Sequence, residues 1–277
     1  MNSLEAMRRF YARFVAAKGG VTDPRIVQAF SAVKREQFVG DGPWQIKVGN
    51  GYMTTETDDP VVLYQDILIA LAPDRRINNG EPSLHARCIG EAAPKADDTV
   101  IHVGAGTGYY TAILAHLAGP GGHVHAYEIE ADIARRAARN LADDHCVTLH
   151  AQSALEAALP PADVIYVSAG ATHVPLMWLD ALKVSGRLVL PLTPNEGLGC
   201  MLLVTRRSDM DTYAARIFST AAFIPCIGAR DDSHSRALAE ALSARSPEDV
   251  RWLRRGSEPD ETAWCVGGGY WLSTAGQ

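Results

Sequence analysis

Three glycines and one acid are the residues best suited to chemistry in this chain. The run IHVGAGTGYYTA (101–112) leads a buried apolar strand into a turn with glycine at 104, 106 and 108, and then into a helix. Glycine adopts backbone conformations barred to residues with a Cβ and lets a ligand approach the main chain closely. The helix that follows offers unpaired N–H groups and a partial positive charge. A dinucleotide loop requires its third glycine three places after the second, and this chain has Tyr109 there. The Gly-x-Gly-x-Gly spacing suits a ligand without a pyrophosphate. Gly104, Ala105, Gly106, Thr107 and Gly108 would wrap around the amino-acid and ribose parts of S-adenosylmethionine. Glu128 lies twenty residues after Gly108, at the end of the next strand in AYEIE. A carboxylate there can accept hydrogen bonds from both ribose hydroxyls, with Ile129 beside it in the cofactor-binding set. Its structural alternative is an acid favoured by a nearby helix N-terminus. Gln152 and Ser153 follow the third strand, where a loop flanks the adenine in this architecture, or is simply a polar loop.

Regular alternation of strands and helices has to hold these residues in place. TVIHV (99–103), HVHAYEI (123–129), VTLHA (147–151), DVIYVSAG (163–170) and GRLVLPL (186–192) read as strands. They alternate with helical segments at 107–119, 131–144 and 174–182, the pattern of a parallel sheet with helices on both faces. GCMLLVTRR (199–207) and TYAARIFSTAAFI (212–224) read as a closing antiparallel pair. Upstream, residues 1–39 read as two helices, the second capped by Asp23 with Pro24 at its first position. Residues 40–80 are irregular, with LYQDILIAL (63–71) as a short strand or buried segment. INNGEPSLHA (77–86) carries turn chemistry at Asn78, Asn79 and Gly80 before a helix opened by Pro82. The expected organisation is 1–80 as amino-terminal helices and an active-site loop region, 81–228 as a Rossmann-like cofactor-binding domain, and 229–277 as a carboxy-terminal extension. In that extension a helix precedes WLRRG (252–256), read as a solvated basic face, and a strand-like end.

Composition narrows the function classes. The 277 residues are 47% hydrophobic and 21% charged, ordinary for a globular protein that needs no disulfide or metal staple. The net charge of −6 argues against a nucleic-acid partner. Five scattered cysteines without a CxxC pair suit reduced thiols in the cytoplasm. The amino-terminal residues lack the apolar core of a signal peptide. No segment has 18 consecutive apolar residues, so no membrane span is expected. Nine histidines invite a metal reading, with His102, His123, His125, His145 and His150 near strands. No carboxylate or cysteine set completes a site, so no metal is expected.

The motifs together resemble the protein-L-isoaspartate O-methyltransferases. The resemblance rests on HVGAGTGYYTAILAHLAG, the strand ending in Glu128, PADVIYVSAG, and Pro175 and Trp178 before LKVSGRLVLPL. AFSAVKREQFV (29–39) and INNGEPSLHA add to it upstream. It covers roughly residues 24–195, and the chain beyond about 230 does not share it. It implies a class I methyltransferase fold, S-adenosylmethionine as cofactor, and the free α-carboxyl of an isoaspartyl residue as acceptor. It also implies that loop 77–85 sits between cofactor and substrate, with His85 close to the cofactor. The chain departs from the family at two places. Gly80 falls where the family has the serine of Ser-x-Pro, and Ala151-Gln152 replaces a Gly-Asp pair.

Methyl transfer from a sulfonium to a carboxylate needs no strong base, because the acceptor is ionised at neutral pH. This agrees with the lack of a GxSxG elbow, an HExxH motif or a cysteine beside a base. The candidate acceptor-side residues are Asn79, Ser83 and His85, with Asn78 beside them. Ser168, in the cofactor set, and Thr172 follow the fourth strand. A hydroxyl or amine acceptor would need a base, and His85 and His173 are the candidates. Turn formation and a packed helix histidine are the structural alternatives for the asparagines and His85. The expected acceptor is a carboxylate on a peptide, protein or small molecule, and the sequence is compatible with a homodimer. The competing readings are a methyltransferase for another carboxylate, a cofactor-binding homologue without turnover, and a nicotinamide-dependent oxidoreductase, which Tyr109 disfavours.

Overall fold

A computed structural model describes residues 3–207 and 212–276. The two amino-terminal helices are α1 (Ser3–Lys18) and α2 (Pro24–Ala32), and Asp23 caps α2 by accepting from Arg25 N at 2.9 Å. A single turn, α3 (Glu36–Val39), follows. The stretch expected to be irregular contains a hairpin, β1 (Gln45–Val48) and β2 (Gly51–Thr54), and a smaller pair, β3 (Ala70–Ala72) and β4 (Ile77–Asn78). These strands are too short for alternation to register in the sequence. Then come α4 (Pro82–Ala92), β5 (Thr99–Val103), α5 (Tyr109–Ala118), β6 (His123–Tyr127), α6 (Ala131–Asn140), β7 (Val147–His150) and β8 (Ala162–Val167). The chain continues as α7 (Leu176–Ala181), β9 (Leu182–Leu192), β10 (Gly199–Arg206), β11 (Thr212–Ala221), α8 (Asp232–Ala244), β12 (Trp252–Arg255), β13 (Ala263–Gly267) and β14 (Tyr270–Ser273).

These elements form two compact units. One runs to Asp98 and resumes over Ala105–Ser153; the other comprises Thr99–Gly104 and the chain from Ala154 onward. In the first, Tyr11, Val15, Phe30, Ile89 and Ile113 are fully buried, drawn from α1, α2, α4 and α5. α5 is buried almost all round, whereas α6 buries one face through Ile133, Ala134 and Ala137. β6 and β7 pair in parallel, with Tyr127 opposite His150. A second cluster joins Val39, Trp44, Leu63, Ile69, Leu71 and Ile133. Among the described residues, segment 63–67 has no strand partner, whereas Leu68 O accepts from Lys47 N of β1 at 2.9 Å and Ile69 bridges Ile46. The fully buried Arg35 guanidinium organises segment 63–67 instead, donating to the carbonyls of Leu63 (2.5 Å), Gln65 (2.8 Å) and Ile67 (2.6 Å). Buried carbonyls need donors, and one planar fork supplies three of them here.

The second unit is a mixed sheet in the order β13-β14-β12-β11-β10-β9-β8-β5. β5, β8 and β9 run in parallel, and the remaining pairs are antiparallel. β5 and β8 read as near-continuous apolar runs because both faces are covered. The expected antiparallel pair at 199–224 forms as β10 and β11. Trp252–Arg255, read from sequence as a solvated basic face, is instead β12, a central strand with Leu253 buried. Two basic residues masked the period-two pattern there. Among the described residues no helix is long and apolar enough to cross a membrane.

β5 also carries a buried ionisable group. Burial pushes the His102 imidazole down to about 3 from its ordinary 6.5. Between these values the unfolded chain binds a proton that the folded chain refuses, so stability is intact above about 6.5 and is lost as pH falls toward 3. The slope approaches about 1.4 kcal/mol per pH unit at its limit. Urea midpoints between pH 7 and pH 5 are expected to fall less steeply in His102→Gln than in the parent; equal slopes would show that His102 does not carry this linkage.

Candidate active site

In the glycine loop every second residue has a left-handed backbone: φ is +77° at Gly104, +56° at Gly106 and +100° at Gly108. Residues with a Cβ avoid this region. A Cβ at Gly108 would also lie 2.7 Å from Leu141 Cδ1. Ala105 N donates to Tyr127 O at 3.0 Å, which ties the loop to the end of β6. Thr107 is buried, and its carbonyl accepts from Asn140 Nδ2 at 2.9 Å.

Glu128 closes this arrangement. Its carboxylate accepts from Gly106 N at 2.7 Å and from Glu130 N at 2.9 Å, one bond per oxygen. Burial raises its pKa, and the backbone N–H groups of Glu130, Gly106 and Ile129 act against that rise. Ile129 is 45% exposed, an apolar side chain left in the open next to a nearly buried acid. Glu128 N donates to His150 O at 3.1 Å, so the end of β7 lies against Glu128, two residues before Gln152. Gln152 is exposed and Ser153 half-buried.

Loop 78–85 is pinned at both ends. Asn79 N donates to Ile69 O at 3.0 Å, and Asn79 Oδ1 accepts from Ile69 N at 2.8 Å. The side-chain amide is thereby fixed, and its buried Nδ2 has no hydrogen-bond partner among the described residues. Asn78 Oδ1 accepts from Gly80 N at 2.9 Å, a local turn bond. Gly80 has φ +73°, and a Cβ there would lie 2.2 Å from His85 Nε2. The imidazole edge thus occupies the volume that a side chain at position 80 would need. His85 is buried and stacks on Tyr110, with ring centroids 3.7 Å apart and planes 8° from parallel. Tyr110 lies in the first turn of α5, two residues after Gly108. The structure therefore brings His85, with Gly80 against its edge, to the helix that the glycine loop opens; Asn79 is held on Ile69 instead. Ser83 faces elsewhere: its Oγ donates to Asp66 Oδ2 at 2.7 Å and lies 3.1 Å from Glu81 Oε1.

In the second unit, Gly104 and Ser168 stand at the carboxyl ends of β5 and β8. A Cβ at Gly104 would be 3.4 Å from the Ser168 carbonyl carbon. Ser168 Oγ is 3.0 Å from His102 Nε2, and Ser168 N donates to Val103 O at 2.8 Å. Thr172 is buried and accepts from Asp231 N at 3.0 Å. His173 lies against His234, ring centroids 4.7 Å apart, and His234 Nδ1 is 2.8 Å from Asp231 Oδ2. Among the described residues no group of three or more His, Cys, Asp or Glu is placed to hold a metal ion. Sequence reasoning missed Tyr110 and Asp66. Tyr110 lies inside the glycine motif, whose helix gives it no special mark, and Asp66 lies in LYQDILIAL, an apolar run read as a short strand or buried segment.

The chain is similar to known proteins over most of its length. A family model described as Protein-L-isoaspartate(D-aspartate) O-methyltransferase matches residues 13–231. The chain is 30% identical over 233 residues to Protein-L-isoaspartate O-methyltransferase 2 of Marinobacter nauticus, covering 81% of this chain and 94% of the relative. It is 32% identical over 227 residues to the Methylorubrum extorquens Protein-L-isoaspartate O-methyltransferase, covering 80% and 89%. Of the solved structures, one protein-L-isoaspartate O-methyltransferase superposes with TM-score 0.67 at 23% identity, covering 85% of this chain and 68% of the other. A Plasmodium falciparum chain, solved as such an enzyme with S-adenosyl-L-homocysteine, gives TM-score 0.63 at 16% identity, covering 79% and 97%. These two likenesses establish a class I methyltransferase fold.

The crowding at position 80 is testable. Gly49 also has positive φ (+54°) but nothing within 4 Å of a built Cβ. Gly49→Ala should lose only the backbone contribution, about 1 kcal/mol, whereas Gly80→Ala should lose a further 1–3 kcal/mol or so from displacing His85. Equal changes in melting temperature for the two variants would mean that His85 moves aside freely.

Proposed function

This S-adenosylmethionine-dependent methyltransferase belongs to the protein-L-isoaspartate(D-aspartate) O-methyltransferase family, and we propose that it methylates the free α-carboxylate of an isoaspartyl residue in a peptide or protein. One observation carries the reading: His85, in the first turn of α4, stacks directly on Tyr110 in the first turn of α5, the helix opened by the glycine loop.

The residues present fit the cofactor. Gly106 and Gly108 leave main chain bare where side chains would otherwise project. Each Glu128 oxygen accepts one backbone N–H and keeps a lone pair for a ribose hydroxyl. Ile129 offers an apolar surface for a base, with Gln152 and Ser153 in the adjoining loop. Ala105 and Thr107 contribute main chain. The cofactor supplies an electrophilic methyl group on a sulfonium. The protein orients the acceptor and keeps water away from it, which accounts for much of the rate in such a transfer. The acceptor carboxylate is already ionised, so no residue has to remove a proton. Asn79 Nδ2 is a fixed, buried donor without a partner among the described residues. Leaving such a group unpaired costs about 1–3 kcal/mol. We place the protein in the cytoplasm, a reading supported by its five unpaired cysteines.

Gly80 favours a second reading, in which the acceptor is another peptide carboxylate. Position 80 offers no hydroxyl, and His85 fills the volume beside it.

Labelled S-adenosylmethionine presented with an isoaspartyl peptide and its aspartyl counterpart separates the readings. Transfer to the isoaspartyl peptide alone supports the first, and transfer to the aspartyl peptide supports the second. Cofactor binding without transfer to either would sink both. Glu128→Ala should weaken S-adenosylhomocysteine binding about ten- to hundredfold, the loss of one or two hydrogen bonds to a charged group. Titration calorimetry reads it, and an unchanged Kd would remove Glu128 from the cofactor site.

A further inference from the structure

We propose that Asp66 is a positioning residue for methyl transfer: it sets the acceptor loop by fixing the first turn of α4. This rests on the assignment of loop 79–85 to the acceptor. α4 starts without a cap of its own, because Glu81 occupies the cap position and makes no side-chain capping bond. The missing cap comes from seventeen residues upstream. Asp66 Oδ1 accepts from Ser83 N at 2.8 Å and Asp66 Oδ2 accepts from Ser83 Oγ at 2.7 Å. A carboxylate at a helix N-terminus satisfies unpaired N–H groups and complements the helix dipole.

Asp66 is itself held on three sides. Its neighbours in the chain are clamped by Arg35 through the carbonyls of Leu63, Gln65 and Ile67, so the backbone that carries it cannot drift. Lys18, the last residue of α1, donates to Asp66 Oδ2 at 2.6 Å and to Glu81 Oε1 at 3.0 Å. Gly19 brings the end of α1 against the same turn, where a Cβ would lie 2.7 Å from Ser83 O. The Asp66 side chain is only 5% exposed, and its ion pair and hydrogen bonds hold its pKa below the usual carboxylate range in spite of burial.

The same segment reaches the loop a second way. Ile69, three residues after Asp66, bonds Asn79 twice: its carbonyl accepts from Asn79 N and its N donates to Asn79 Oδ1. Residues 66 and 69 thus grip the loop on both sides of Gly80, at Ser83 and at Asn79. His85, one half-turn past Ser83, is thereby set against Tyr110. On this reading Ser83 is the handle by which the loop is held, and its hydroxyl is spent on Asp66.

The test uses the full chain with Asp66→Asn, Asp66→Ala, Ser83→Ala and the Asp66→Ala/Ser83→Ala double variant. Asp66→Ala should lower kcat/KM for the isoaspartyl peptide roughly ten- to hundredfold, the scale of a small misplacement. The Kd for S-adenosylhomocysteine should stay within about twofold of the parent. Asp66→Asn should fall between parent and Asp66→Ala. The double variant should lose no more than Asp66→Ala, because the two residues act as one contact. Amide exchange should quicken at 79–85 and stay unchanged at 105–109. Exchange and cofactor Kd need no acceptor, so they decide on Asp66 even if the parent enzyme transfers nothing to the peptide, a result that would overturn the substrate reading alone. Unchanged exchange at 79–85 would overturn the proposal, as would quickened exchange without loss of kcat/KM. A parallel loss of exchange protection, cofactor binding and melting temperature would also overturn it, by reducing Asp66 to general stability.

Discussion

Between Gly104 and Gly108 the main chain turns left-handed at alternate residues, and a carboxylate from the end of β6 holds it in that shape. Neither half of this arrangement works alone. Three glycines make the loop conformation affordable to the backbone but do not select it, since glycine is equally at ease elsewhere. The Glu128 bonds to Gly106 N and Glu130 N select it, and Ala105 N to Tyr127 O anchors it to the strand. The direction of α5, the placing of Tyr110 and hence the seat of His85 all follow from where this loop delivers the chain.

Much of this was legible in the sequence because it is local or periodic. The run at 101–112 announces strand, turn and helix within twelve residues. Glu128 is found by counting along one more strand. The amphipathic stripe of α6 and the capped start of α2 obey rules that need only a few neighbours. The chemistry of loop 77–86 was also visible, since Asn, Gly and Pro in that order mark a turn before a helix.

What the sequence hid depends on contacts between distant residues. Asp66 looks like a stray acid in an apolar run, and its significance lies in a serine seventeen positions later. Arg35 sits in the short connection between α2 and α3, yet its guanidinium replaces a missing strand partner for residues 63–67. Gly80 reads as turn chemistry, but the structure adds a second constraint: the space beside it is taken by His85. The four strands between residues 45 and 78 are too short to show a period, and in β12 two arginines mask a buried leucine. Side-chain partners fixed by tertiary packing leave no local signature.

The position of Tyr110 has a further consequence. One short helix, α5, is bound at its start to the glycine loop and carries on its first turn the ring against which His85 lies. Ligands seated at two places against one short helix have a direct route by which to influence each other. If occupancy of the glycine loop changes the free energy of seating His85, then occupancy beside His85 changes the affinity of the glycine loop by the same amount and with the same sign. The order in which two ligands arrive then alters the rates but leaves the final balance untouched.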